Sequence, residues 1–202
     1  HIVWSTLEDT RTTLPISDER MPVLQGKYNV PHFDGKEEAD AAFRDAGVPT
    51  TYLRTAFYWE NLIYFGLGPQ RGEDGVLAIT YPMGDKRLPA IGAEDIGKIA
   101  YGIFKRGDEL IGKTISVAGE HLTGSQMAEK LSKALGEEVR YNEVDPDTFR
   151  SFGFPGADEI GTCSTGSATS RPSTWAHAIS TSRAHSIRSS RTSTPGSART
   201  PS

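Results

Sequence analysis

At 202 residues and 36% hydrophobic content, the chain has the length of one domain or a small pair and enough apolar residues for a modest core. Its formal charge of −4 is unevenly spread, because the five arginines after Gly161 carry +5 and leave −9 for the part before them. An acidic body without a Lys/Arg stripe argues against direct nucleic-acid binding, and no run is apolar enough for a membrane span or a signal peptide, so a cytoplasmic location is expected, extending to the nucleus in a eukaryote.

The chain opens on His1 rather than Met, and an apolar run from His1 to Thr6 begins at once. This pattern predicts a buried parallel strand and a fragment whose true start lies upstream. A polar loop carrying Pro15, Pro22 and Gly26 ends at Pro31. From His32 to Ala46 the residues Phe33, Ala39, Ala42, Phe43 and Ala46 recur at helical spacing, and Gly47 with Val48-Pro49 closes the helix. Thr50 to Thr55 reads as a β-branched strand, which completes a strand, helix, strand unit and implies a parallel sheet.

Ala56 to Tyr64 is expected to form a short helix, and Gly66 to Gly75 a glycine-rich loop. Val76 to Thr80 reads as a strand, after which Pro82 and Pro89 bracket a turn that includes Gly84-Asp85-Lys86. Ala93 to Lys105 reads as a helix with Glu94 and Asp95 in the first turn, where the helix dipole favours acids. Thr114 to Ala118 is a strand, Thr123 to Leu135 a helix stopped by Gly136, Val139 to Val144 a strand, and Asp145 to Phe152 a last helix with Pro146 at a permitted early position.

From Thr162 onward the chain contains no Asp, Glu, Lys, Phe, Leu or Val and cannot build a core. One reading is a genuine disordered Arg/Ser segment. Back-translation supports a sharper one. Read one base out of register, His185 to Ser202 can encode Leu-His-Pro-Glu-Leu-Gln-Asp-Phe-Asp-Thr-Trp-Leu-Arg-Thr-His-Pro, with the pattern of an amphipathic helix. In the same frame Gly161-Thr162-Cys163-Ser164 becomes Gly-Asn-Met-Phe. A single-nucleotide deletion near codon 162 is therefore expected, which makes Cys163, the one cysteine, an artefact of the shifted frame. Resequencing the gene should reveal the extra base, and an intact frame there would reject the deletion.

Lys36 is the most informative residue. Three residues before Ala39 and seven before Phe43, it lies on the inward face of its helix, where an ammonium needs an anionic or hydrogen-bonding partner. A lysine near a helix start can also run its stem along the surface to water, and spacing leaves both readings open. A second cluster, Phe57-Tyr58-Trp59-Glu60-Asn61, directly follows a strand, and in parallel α/β sheets ligands bind beyond the carboxyl ends of strands. Its aromatic residues serve equally well to pack a helix onto a sheet. His121 has no partner suggested by sequence, and no His, Cys or carboxylate pair has metal spacing.

The runs Ile2-Val3-Trp4-Ser5-Thr6-Leu7-Glu8-Asp9, Val30-Pro31-His32-Phe33-Asp34-Gly35-Lys36, Ala46-Gly47-Val48-Pro49-Thr50, Tyr58-Trp59-Glu60-Asn61 and Phe152-Gly153-Phe154-Pro155-Gly156-Ala157 resemble, in order and spacing, the NmrA-like family. This is an atypical branch of the short-chain dehydrogenase/reductases, and the likeness is strongest to its NmrA-like domain-containing subgroup over residues 1–161. The resemblance implies an α/β fold, namely the C-terminal part of a Rossmann doubly wound parallel sheet plus a smaller α/β region. Residues 1–56 would complete the dinucleotide-binding part, 57–161 the remainder, and 162–202 the shifted tail.

The resemblance also implies NADP(H) as cofactor, with Lys36 on the nicotinamide ribose and Tyr58, Trp59, Glu60 and Asn61 lining the nicotinamide end. The glycine-rich phosphate loop would lie upstream of His1. Ordinary superfamily members place a tyrosine acid four residues before the lysine, where this chain has His32. Relatives without the tyrosine divide into dinucleotide sensors, which pass the cofactor's state to a transcription factor or metabolic enzyme, and reductases, which would use Lys36 as the catalytic group. The sensor reading is favoured, with a homodimeric parent as a further expectation, and a non-functional truncated product is the third alternative.

Overall fold

The structure is a computed structural model that describes residues 1–19, 22–154, 156–158 and 160. The expectations for residues 162–202, the frame shift and Cys163 among them, lie outside the described residues.

Strand β1 (Ile2–Thr6) pairs in parallel with β2 (Thr50–Arg54), and α1 (Pro31–Asp45) makes the crossover between them. Alternation along the strands sends side chains to two faces. Trp4 meets α1, where its ring lies 4.5 Å from Phe43 and its Nε1 donates to Asp40 Oδ1 at 2.8 Å. Val3 and Leu53 point the other way, into a core with Ile96, Ile99, Ala100 and Ile103 of α3 (Ala93–Lys105). Helices therefore cover both faces, as a doubly wound parallel sheet requires. The chain returns to this sheet after α3, where β7 (Thr114–Ser116) joins β2 in parallel and gives the order β1-β2-β7.

The smaller α/β region holds two further sheets. Strand β6 (Leu88–Ile91) lies between the two-residue β3 (Phe57–Tyr58), parallel to it, and β8 (Glu120–Leu122), antiparallel to it. Strand β5 (Leu77–Tyr81) lies between β4 (Gln70–Arg71), antiparallel, and β9 (Val139–Glu143), parallel. Against the last sheet packs α4 (Gly124–Leu135), while α5 (Pro146–Ser151) contributes Phe149 to a core of Ile79, Tyr81, Met83, Leu122, Met127 and Val139. Between β3 and β4 runs the single turn α2 (Asn61–Tyr64).

Several expectations need correction. Ala56 to Tyr64 is not one helix, because Phe57–Tyr58 is extended and pairs with Ala90–Ile91, in keeping with the strand preference of aromatic residues. The bracketed turn ends earlier than expected, since Pro89 lies inside β6. Proline is tolerated in this middle strand because β3 is short and reaches only Ala90 and Ile91. The glycine-rich loop contains β4, and β8 had no sequence expectation. Ala42 within α1 and Ala46 just past its end are exposed, whereas the carboxylates Asp34 and Asp40 are buried.

Helix ends follow local chemistry. Thr123 and Gln126 form a reciprocal capping box at α4, and Gly136 ends that helix in the left-handed region at φ 72°. At the first residue of α4, a Cβ on Gly124 would lie 2.3 Å from the Tyr141 ring, whose hydroxyl donates to Tyr81 O at 3.1 Å. Gly124→Ala is thus expected to lower unfolding stability by about 1–3 kcal/mol through overpacking, with no change expected at an exposed control such as Gly97→Ala beyond a small gain. Thermal unfolding of the pair checks this. Among the described residues, no helix is long and apolar enough to cross a membrane.

Candidate functional site

The carboxyl ends of β1 and β2 form one edge, which carries Lys36, Thr6 and Arg54, whereas the buried unpartnered atoms His121 Nε2 and Arg150 Nη1 lie elsewhere, in β8 and α5. The Lys36 ammonium reaches from α1 to donate to Ser5 O at 2.8 Å, and it stands 5.6 Å from the centroid of the Trp4 ring. The two readings of this lysine are thereby resolved, because its head meets a strand carbonyl instead of running out to water. One of its three N–H groups is engaged in that bond, leaving two for a ligand. Next in β1, Thr6 is fully buried, and it sits opposite Arg54 in the parallel ladder.

What holds this edge in place is the long loop between β1 and α1. Asp34, in the first turn of α1 and 0% exposed, accepts from Thr10 N at 2.8 Å, Thr10 Oγ1 at 2.6 Å, Asn29 N at 2.9 Å and Val30 N at 3.2 Å. Both ends of the loop are thus fastened to one carboxylate. Outside, Glu38 accepts from Arg11 at 2.8 Å, Lys27 at 3.0 Å and the Tyr28 hydroxyl at 2.9 Å, and these bonds hold its carboxyl down at about 2. That network is exposed and adds little stability, but it aligns the loop on α1. His32 is exposed at the helix start, with its ring edge-on to Phe33 at 4.7 Å.

The second cluster divides by role. Tyr58 and Thr55, just past β2, share a hydroxyl hydrogen bond of 3.0 Å. Trp59 packs against the core of the smaller region, with its ring edge-on to Phe57 at 6.3 Å. Glu60 Oε1 accepts from Ala93 N at 2.9 Å and so caps α3, while Glu60 Oε2 is buried with no hydrogen-bond partner. Asn61 opens α2, and behind it Ile63, Tyr64 and Phe65 are each more than 70% exposed, an apolar rim beside this segment.

Sequence reasoning missed two residues of the edge. Glu8, two residues beyond β1, is half-buried and makes no hydrogen bond among the described residues, and burial pushes its carboxyl up to about 7 while Arg54 pulls it back. Arg54 in turn has a buried Nε without a partner. The neighbouring Asp9 differs. Despite desolvation that raises it, hydrogen bonds from Arg11 bring its carboxyl below the usual range. A charged residue after a strand carries no distinctive spacing, so pattern alone could not have separated Glu8 from Asp9.

The family model of the NmrA-like family matches residues 1–183, further than the quoted motifs extend. The chain belongs to the NmrA-like family. This NmrA-like chain is 27% identical over 117 residues to a (4-alkanoyl-5-oxo-2,5-dihydrofuran-3-yl)methyl phosphate reductase of Streptomyces griseus subsp. griseus, covering 57% of the chain and 40% of that relative. Among solved structures it is similar to NmrA, a negative transcriptional regulator, in complex with NADP, at TM-score 0.61 and 23% identity over 81% of this chain and 49% of that one. An NADPH-dependent quinone oxidoreductase of Escherichia coli complexed with NADPH is similar at TM-score 0.57 and 22% identity, covering 81% and 53%. A triphenylmethane reductase of Citrobacter sp. complexed with NADP(H) gives TM-score 0.58 at 20% identity over 85% and 57%. These structural likenesses establish the Rossmann-type fold, and the chain spans about half the length of the proteins it matches.

Proposed function

We propose that this chain supplies the nicotinamide-facing half of an NADP(H)-binding redox protein of the NmrA-like family, whose parent acts as a sensor of the cofactor's redox state. The observation that carries this reading is the Lys36 ammonium held on Ser5 O at the carboxyl edge of a parallel sheet, with two donors left for ribose hydroxyls. The residues present fit the group. Glu60 Oε2, buried and unpartnered, can accept from a carboxamide N–H, and Tyr58 offers a hydroxyl already oriented by Thr55. Trp59 and Asn61 complete the segment in this reading, Trp59 by fixing it on the core. When bound, the cofactor would supply or accept a hydride. The chain's own part is to hold the ribose, orient the ring and set the charge around it.

Support for NADP(H) comes from the structural relatives solved with that cofactor. The sensor role, with a transcription factor or metabolic enzyme as partner, takes its support from the regulator among them and from His32 standing, exposed, where ordinary members have a tyrosine acid. A reductase is the second reading, favoured by the reductase relatives. In this proposal residues 1–56 belong to the dinucleotide-binding part and 57–161 to the remainder.

The test is binding and turnover with NADPH on the protein extended to the full length of its relatives. Binding without steady oxidation across a quinone and enone panel supports the sensor, and steady oxidation overturns it in favour of the reductase. No binding at all, with no cooperative unfolding of the 202-residue chain, supports the non-functional product.

A further inference from the structure

We propose that Arg54 anchors a second ligand beside the dinucleotide, a small molecule that carries a carboxylate or phosphate group. This ligand site rests on the dinucleotide reading above for what occupies the Lys36 end, and it adds the chemical class of the molecule that meets the cofactor there.

The placement follows from register. Trp4 lies opposite Tyr52 and Thr6 opposite Arg54, while the ladder from β2 to β7 sets Ser116 on the other side of Arg54. Directly opposed residues, and residues two apart on one strand, share a face of the sheet. That face is the one covered by α1, because Lys36 Nζ stands 5.6 Å from the Trp4 ring and the Arg44 guanidinium 5.6 Å from the Tyr52 ring. Leu53, between Tyr52 and Arg54, goes into the opposite core. Arg54 therefore leaves the sheet on the same side as Lys36. With strands about 4.8 Å apart and a rise of about 3.3 Å per residue, its Cα lies roughly 6 Å from that of Ser5, whose carbonyl holds the lysine. Thr6, Arg54 and Ser116 thus make a row of hydroxyl, guanidinium and hydroxyl across the last rung of the sheet, at the carboxyl edge where ligands of parallel sheets bind.

Nothing among the described residues uses the guanidinium. Arg54 Nε is buried without a partner, and its side chain makes no hydrogen bond or salt bridge. An arginine that only holds a fold together closes its fork on a carboxylate. The acids around this edge are engaged elsewhere, Asp34 by the loop, Asp9 by Arg11 and Asp40 by Trp4. Burial favours the protonated form of Glu8, and although Arg54 acts on it in the opposite sense, the two are not bonded. What remains is a planar fork of donors on a cation, and one oxyanion satisfies it through two parallel bonds. A neutral ligand leaves the charge unmatched, so the edge selects for an anion.

The experiment titrates benzoate, phenyl phosphate and neutral benzamide into the 202-residue chain by calorimetry, and repeats the titrations on the protein extended to the length of its relatives and saturated with NADPH. At least one of the two anions should bind in both cases and benzamide in neither, and the tighter anion identifies the preferred group. Arg54→Met should weaken that anion about 30-fold, and Arg54→Lys by less, because the charge stays while the fork is lost. Thermal unfolding of Arg54→Met should hold or raise the wild-type midpoint, since the change removes a buried N–H that has no partner. Should Arg54→Met fail to fold, Arg54→Lys decides through the same titrations. A lowered midpoint with anion affinity unchanged assigns Arg54 to the fold and overturns the proposal. Equal binding of benzamide and the anions also overturns it, as does displacement of the anion by NADPH, and both leave the dinucleotide site standing. If NADPH does not bind while an Arg54-dependent anion affinity remains, the dinucleotide reading fails and the anion site stands alone.

Discussion

Replacing Asp34 by alanine should lower the unfolding free energy by about 4 kcal/mol, as much as removing a large side chain from the core. The carboxylate is fully buried and receives hydrogen bonds from three backbone N–H groups and one hydroxyl. Alanine leaves all of these donors unpaired in a buried place, where each costs about 1–3 kcal/mol before relaxation and entering water relieve part of it. Asp34→Asn should lose roughly half as much, since one oxygen can still serve either Thr10 or the Asn29–Val30 pair, while the amide N–H₂ faces donors on the other side. Urea unfolding measures both. A loss below about 1 kcal/mol for the alanine variant would show that the loop is held by something other than this carboxylate.

Lys36→Met is expected to weaken dinucleotide binding about 30-fold while costing only about 1 kcal/mol of stability. The methionine keeps an unbranched apolar stem but removes the ammonium, so Ser5 O loses a single donor in a bond that is only partly buried, where water can replace it. What disappears is the pair of donors that faces the ligand. Lys36→Arg should not rescue binding, because a planar guanidinium is longer and cannot place a compact ammonium on the Ser5 carbonyl. Direct binding titration of the folded variant separates this from a general loss of structure, and equal affinity in wild type and Lys36→Met would remove Lys36 from the site.

The parts of this fold that sequence made legible are those in which one local signal decides. The strands Ile2–Thr6 and Thr50–Arg54 follow from a short apolar run and from β-branched residues, and the bounds of α3 at Ala93 and Lys105 from helical periodicity and acids in the first turn. The inward face of Lys36 was legible from spacing, but its acceptor was not, because Ser5 is 31 positions away. Asp34 shows why. In the sequence it is an acid in a helix's first turn, a common surface feature, and its burial depends on backbone donors brought in from Thr10 and Asn29. Conversely, Ala42 and Ala46 count as apolar in a pattern yet lie exposed, since alanine costs little in water and favours helix anywhere. Glu60 is a further case: capping α3 33 residues downstream uses one oxygen, and the unpaired second oxygen emerges only from packing.

One side of β1 has no strand beside it among the described residues, and its first residue, Ile2, is partly exposed. Apart from Ser5 O, which accepts from Lys36, such an edge offers N–H and C=O groups to a strand from another molecule, including the same edge of a second copy. The apparent affinity of this chain for any ligand near β1 should therefore vary with protein concentration, because edge-to-edge association would compete with the monomer. A dilution series belongs in every measurement made on it, and a short peptide that seats on β1 should suppress the drift and leave a single concentration-independent isotherm.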